Sequence, residues 1–151
     1  MPNNITRLKL MDYQYYQLDQ RKENFTEVEL NQKNIIIFLN SDENNSKVSD
    51  FLLNVMKAVK VDFREACNLI LVNEDSLISF KNILQTERSL KILIFGVSPI
   101  QLDLKINFPS YHCFQFLHHQ IIQVEKVMLV QDDKNRKMKL WNELKFMFKI
   151  Q

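Results

Sequence analysis

The chain has 151 residues, 46% apolar and 25% charged, which is the composition of one ordinary globular domain, and its net charge of +2 gives no global basic field that would draw it to nucleic acid. Its single glycine, Gly96, excludes phosphate-cradling loops, dinucleotide-binding turns and the G-x-S-x-G elbow, each of which needs two or more. Cys67 and Cys113 form no C-x-x-C, no run approaches the roughly 18 apolar residues of a membrane span, and the stretch MPNNITRLKLMDYQ lacks the apolar core of a signal peptide, so a soluble cytoplasmic protein is expected.

Residues 1–24 read as an N-terminal arm in which Leu8, Leu10, Met11, Tyr13, Tyr15, Tyr16 and Leu18 precede a polar stretch, DQRKEN. Residues 25–151 read as a single α/β domain, since no linker composition or internal repeat divides them. The run NIIIFLN at 34–40 suits a strand covered on both faces. Val48, Phe51, Leu52, Val55, Met56 and Val59 then follow helical spacing, with Ser46 as the expected cap. Residues 68–73 (NLILVN) predict a second buried strand, 74–84 a short helix or turn, and 91–95 (KILIF) a third strand ending at Gly96. Two short strands are expected at 114–117 and 120–124, joined through His118 and His119. The last helix starts at Asp132 or Asp133 and carries Met138, Trp141, Leu144, Lys145 and Phe148 at helical spacing, with Trp141 expected to dock it on the sheet. Buried strands joined by helical connections predict an α/β fold of three layers with right-handed crossovers.

Chemistry-bearing residues are sparse. The three histidines, His112, His118 and His119, offer the only base for a nucleophilic triad with Cys113, but neighbours on a strand point to opposite faces, so neither His112 with Cys113 nor His118 with His119 is expected to converge. The same four residues fall short of a zinc site, and no metal is expected. The carboxylate pairs Asp42-Glu43, Glu74-Asp75 and Asp132-Asp133 read as solvated acids at helix starts. Lys134, Arg136, Lys137 and Lys139, with Trp141, Phe146 and Phe148 nearby, read either as a phosphate-gripping patch or as the solvated face of the last helix.

The order of these elements, with residues 35–39, residues 48–61 running into DFREACNL, KILIFG at 91–96 and KMKLWNEL at 137–144, resembles the psi subunit of bacterial DNA polymerase III. That family comprises small clamp-loader accessory proteins with the fold of the uracil-DNA glycosylases and none of their activity. The resemblance implies a three-layer α/β/α domain with a central, mainly parallel sheet and no cofactor. It also implies an arm that binds the clamp-loader collar, with Met11, Tyr16 and Leu18 at the anchor positions and Leu8 and Tyr15 beside them. A chi-like second subunit, and through it single-strand DNA-binding protein, would be further partners. Tyr13, Tyr15 and Tyr16 read equally as the start of an edge strand packed on their own domain. An active glycosylase needs a water-activating acid after the first strand and a histidine loop near the last. Here NSDENN follows Leu39 and VEKVMLVQ precedes the last helix, so neither loop is recognisable and no catalysis is expected. The alternatives are a degenerate glycosylase-fold protein that binds single-stranded or damaged DNA through Lys134, Arg136, Lys137 and Lys139, and an enzyme with a site around Ser98, Asp103 and His112.

Overall fold

The computed structural model describes residues 25–104, 107 and 109–150. Five strands form its main sheet in the order β3 (Cys67–Val72), β2 (Ile35–Asn40), β5 (Lys91–Phe95), β7 (His119–Val124), β6 (Phe114–Phe116). The first four run parallel and β6 is antiparallel, which makes the protein mixed α/β with a mainly parallel sheet, as expected. A separate two-stranded parallel ladder pairs β1 (Thr26–Glu27) with β4 (Ile78–Ser79).

All six residues of β2 are buried because both faces of the sheet are covered. On one face Ile35, Ile37 and Leu39 pack with α1 (Ser46–Ala58), α4 (Val127–Gln131) and α5 (Lys134–Met147) through Leu52, Met56, Val127, Val130, Leu140 and Leu144. On the other, Ile36 and Phe38 meet a thinner layer made by β1, β4, α3 (Lys81–Gln85) and a 3-10 turn at Pro99–Leu102. Phe38 stacks there on Phe80 with ring centroids 5.4 Å apart. The β2 to β3 connection runs through α1 and α2 (Phe63–Ala66), and the β3 to β5 connection returns across the opposite face, as crossovers of one hand require.

Several local expectations change. The cap of α1 is Asn45, whose side chain accepts the Val48 N–H at 3.0 Å, rather than Ser46. The strand expected at 68–73 spans Cys67–Val72 and, among the described residues, is an edge strand: Leu69 and Leu71 are about 40% exposed, because no other described strand or helix covers that side. The 74–84 segment divides into a turn, β4 and α3. Of the two candidate caps for the last helix, Asp133 fills the role, accepting from Asn135 and Arg136 N–H at 2.9 and 3.2 Å. That helix seats Leu140, Leu144 and Met147 in the core, leaving Trp141 half-buried at the side and Met138 exposed. Apolar residues lie all round this helix, so their spacing left its inner face ambiguous.

The two histidines do not diverge. β6 and β7 form a hairpin whose turn is Leu117 and His118, with Leu117 at φ 57°, so only His119 is a strand residue and the two rings meet at 4.2 Å. His119 is fully buried, and its Nδ1 accepts the Leu90 N–H at 3.1 Å, while among the described residues no group meets Nε2 in good hydrogen-bond geometry. Burial, then the neighbouring His118, push its pKa below the ordinary 6.5, against a weaker opposing pull from the Ile83 backbone. The unfolded chain therefore takes up this proton first, so the contribution is complete above about pH 6.5 and is lost as pH falls below it. We expect stability to fall between pH 7 and 5.5, by at most about 1.4 kcal/mol per pH unit from this ring. His119→Asn, which keeps an acceptor for Leu90, should flatten that slope in urea titrations.

Candidate functional site

In an open parallel sheet the crevice for chemistry lies beyond the carboxyl ends of the strands, where successive crossovers leave on opposite faces. That point falls between β2 and β5, whose chains leave toward α1 and toward the Pro99–Leu102 turn respectively. Asn40 ends β2 and is buried; its Oδ1 accepts the Asp42 N–H at 3.2 Å, and its Nδ2 reaches toward the Gly96 carbonyl at 3.5 Å. A 3-10 turn at Ser41–Glu43 follows and directs Glu43 inward.

Glu43 is the central group of this edge. It is 2% exposed, and its two carboxylate oxygens accept the N–H groups of Val127 and Met128 at 2.8 and 2.7 Å. These donors open α4 and have no partner within that helix, so the carboxylate satisfies two otherwise orphaned groups across the sheet edge. Glu43 thus corrects the reading of Asp42-Glu43 as solvated acids. Asp42 alone is exposed, and it pairs with Lys126 at 2.6 Å; this hydrogen bond chiefly holds the ammonium above its ordinary pKa.

Gly96 is needed at this closure. It sits at φ 65°, and a Cβ there would lie 2.5 Å from Lys126 Cγ and 3.0 Å from Lys126 Cα. Its N–H donates to the Val124 carbonyl at 2.9 Å, so the loops after β2, β5 and β7 are drawn together.

The neighbouring polar groups are also engaged. The Tyr111 hydroxyl donates to Glu125, and burial followed by that carboxylate drives the phenol pKa well above its usual value. Arg136 lies 3.4 Å from Glu125 and 3.6 Å from Asp133, and Lys139 sits over the Tyr111 ring at 5.8 Å. The basic run is therefore interleaved with acids and an aromatic ring rather than being one uniform patch. Lys134 is exposed, and Lys137 stands at the rim of an apolar groove of about 230 Å³ between α1 and α5, lined by Phe51, Val55, Ala58, Leu140, Trp141 and Leu144.

The other candidates do not assemble. His112 lies 3.9 Å from Glu143, whose carboxylate accepts the Cys113 N–H at 2.7 Å. Burial, with Glu143 adding, raises the Cys113 thiol to about 11, and burial raises Cys67 to about 11, opposite to the activation a nucleophile needs. Ser98 caps the Pro99–Leu102 turn and Asp103 ends it in a left-handed conformation, while His112 faces Glu143. Among the described residues no cluster of His, Cys, Asp or Glu is arranged to hold a metal, and no helix is long and apolar enough to cross a membrane. Leu8, Met11, Tyr15, Tyr16 and Leu18 lie outside the described residues. No protein-family model, curated protein or solved structure matches the chain.

Glu43→Ala should destabilise the protein by about 2–4 kcal/mol in chemical denaturation, since two buried donors lose a charged acceptor; Glu43→Gln, which retains one acceptor, should cost less. Gly96→Ala should cost more than about 1 kcal/mol through its positive φ and the contact with Lys126.

Proposed function

We propose that this chain is a non-catalytic, psi-like accessory subunit of the replication clamp loader. In this reading Leu8, Met11, Tyr15, Tyr16 and Leu18 bind the clamp-loader collar, and the domain behind them is a uracil-DNA glycosylase-like α/β/α scaffold acting in the cytoplasm. The observation that supports its non-catalytic part is Glu43, while the clamp-loader part rests on the resemblance. The resemblance singles out two stretches as the places where a glycosylase would keep its acid and its histidine loop. Those stretches, 40–45 and 124–131, meet through the Glu43 carboxylate on Val127 and Met128 and the Asp42–Lys126 pair. A carboxylate whose two oxygens are occupied by backbone donors is poorly placed to activate water. The edge that would house chemistry serves instead as a clasp.

Direct DNA binding is the weaker reading, because Arg136 is flanked by Glu125 and Asp133. A chi-like second partner would need a surface on the body of the domain, and the α1/α5 groove is an apolar recess there.

The test is binding of the full chain to the clamp-loader complex of the same organism across a salt series. The reading predicts binding that changes little with salt, as an apolar anchor should, and that weakens about 30-fold or more in Tyr16→Ala, about 2 kcal/mol. No binding by the full chain would overturn it. Binding to single-stranded DNA that falls steeply with salt would favour the nucleic-acid reading.

A further inference from the structure

The groove between α1 and α5 has the form of a seat for a third helix. α5 lines it with Lys137, Leu140, Trp141 and Leu144, at the i, i+3, i+4, i+7 spacing of one helix face, and α1 repeats that spacing from Phe51 to Ala58. Each helix therefore presents a stripe two turns long, roughly 10 Å, to the same recess. Its volume of about 230 Å³ falls below the roughly 300–1,000 Å³ of small-molecule sites. A recess of that size between two helices takes a few side chains, and one face of another helix supplies them at matching intervals.

The charges around the groove are of one sign. Arg136 and Lys139 point elsewhere on α5, toward Glu125, Asp133 and the Tyr111 ring. Lys137 is on the rim, Lys134 stands one turn before it, Lys145 one turn after Trp141 and Lys47 one turn before Phe51, so these four continue the two stripes. Among the described residues none of their ammonium groups has a carboxylate partner. Of the acids on the same stripes, Asp133 is committed to capping α5 and to Arg136, which leaves Asp50 alone against four lysines. Between these charges lies the half-buried ring of Trp141, a side chain of the type that dominates binding energy in such recesses.

We propose that the α1/α5 groove docks an acidic amphipathic helix of a partner protein. Apolar side chains two turns deep on that helix sit against Phe51 and Trp141, and Asp or Glu residues flanking them face Lys47, Lys134, Lys137 and Lys145. The apolar stripe supplies affinity, and the carboxylates select the partner and fix its orientation. The inference stands on the groove and its charges and not on the clamp-loader reading.

The chain's single tryptophan reports on the site directly. The full chain is titrated with two tryptophan-free peptides of about 15 residues, long enough for a stable helix once a lactam bridge closes the outer face. Both carry leucines at i, i+3, i+4 and i+7; one is flanked by glutamates and its twin by lysines. The proposal expects the glutamate peptide to shift Trp141 emission to the blue and to bind at least 10-fold more tightly than its twin. Lys134→Glu with Lys137→Glu on one wall should weaken that binding at least 10-fold, and Lys47→Glu on the other at least 3-fold. Equal affinity for the two peptides, or binding of neither, would overturn it. Emission that peptide leaves unmoved but dilution shifts to the red would overturn it and assign the groove to a second copy of the chain; emission already blue and moved by neither would assign it to another segment of the same chain. A shift with phosphatidylserine vesicles and none with the peptides would overturn it in favour of a membrane surface. Because no clamp loader is in the sample, these results are separate from failure of the proposed function.

Discussion

The buried carboxylate of Glu43 is the constraint around which the sheet's carboxyl edge is arranged. A charged group that is 2% exposed requires strong partners, and here they are two backbone N–H groups at the start of α4. Because Glu43 follows β2 and α4 follows β7, one side chain bridges strands separated in the sheet by β5. The loop after β5 must then pass close to Lys126, and Gly96 is the residue that permits it. Removing the carboxylate would leave orphaned donors on one side and a loosened turn on the other.

The same edge links architecture to function. Parallel strands covered on both faces are a rigid platform, and their carboxyl ends are where such platforms usually hold ligands. In this protein the groups at that position hold one another: Asn40 the 3-10 turn, Glu43 the helix, Asp42 the lysine, Glu125 both Tyr111 and Arg136. Among the described residues, the apolar groove between α1 and α5 and the exposed Leu69 and Leu71 of β3 lie apart from this closed edge.

Much of this architecture was legible in the chain, and its failures have physical causes. The unbroken apolar runs at 35–39 and 91–95 could only be central strands, and the spacing from Val48 to Val59 could only be a helix against them. CNLILV carries the same kind of run, but periodicity does not report whether a neighbour exists, so an edge strand read as a buried one. His118 and His119 were placed on opposite faces because the left-handed turn at Leu117 leaves no composition signal. The role of Glu43 was missed because Asp42-Glu43 looks like any acidic pair before a helix, and its partners lie 84 and 85 residues away. The available signal was the lone glycine, which marks where another segment must pass closely, and the acid turn directly after a fully buried strand.

The most direct measurement of the clasp is the exchange rate of the Val127 and Met128 amides in the native chain. They stand at the first positions of a short helix, where no intrahelical acceptor protects them. If Glu43 holds them, both exchange as slowly as the buried strand amides of 91–95. If both exchange at the rate of an uncapped helix terminus, Glu43 is not engaged with them, and the account of the carboxyl edge as a closed clasp is wrong.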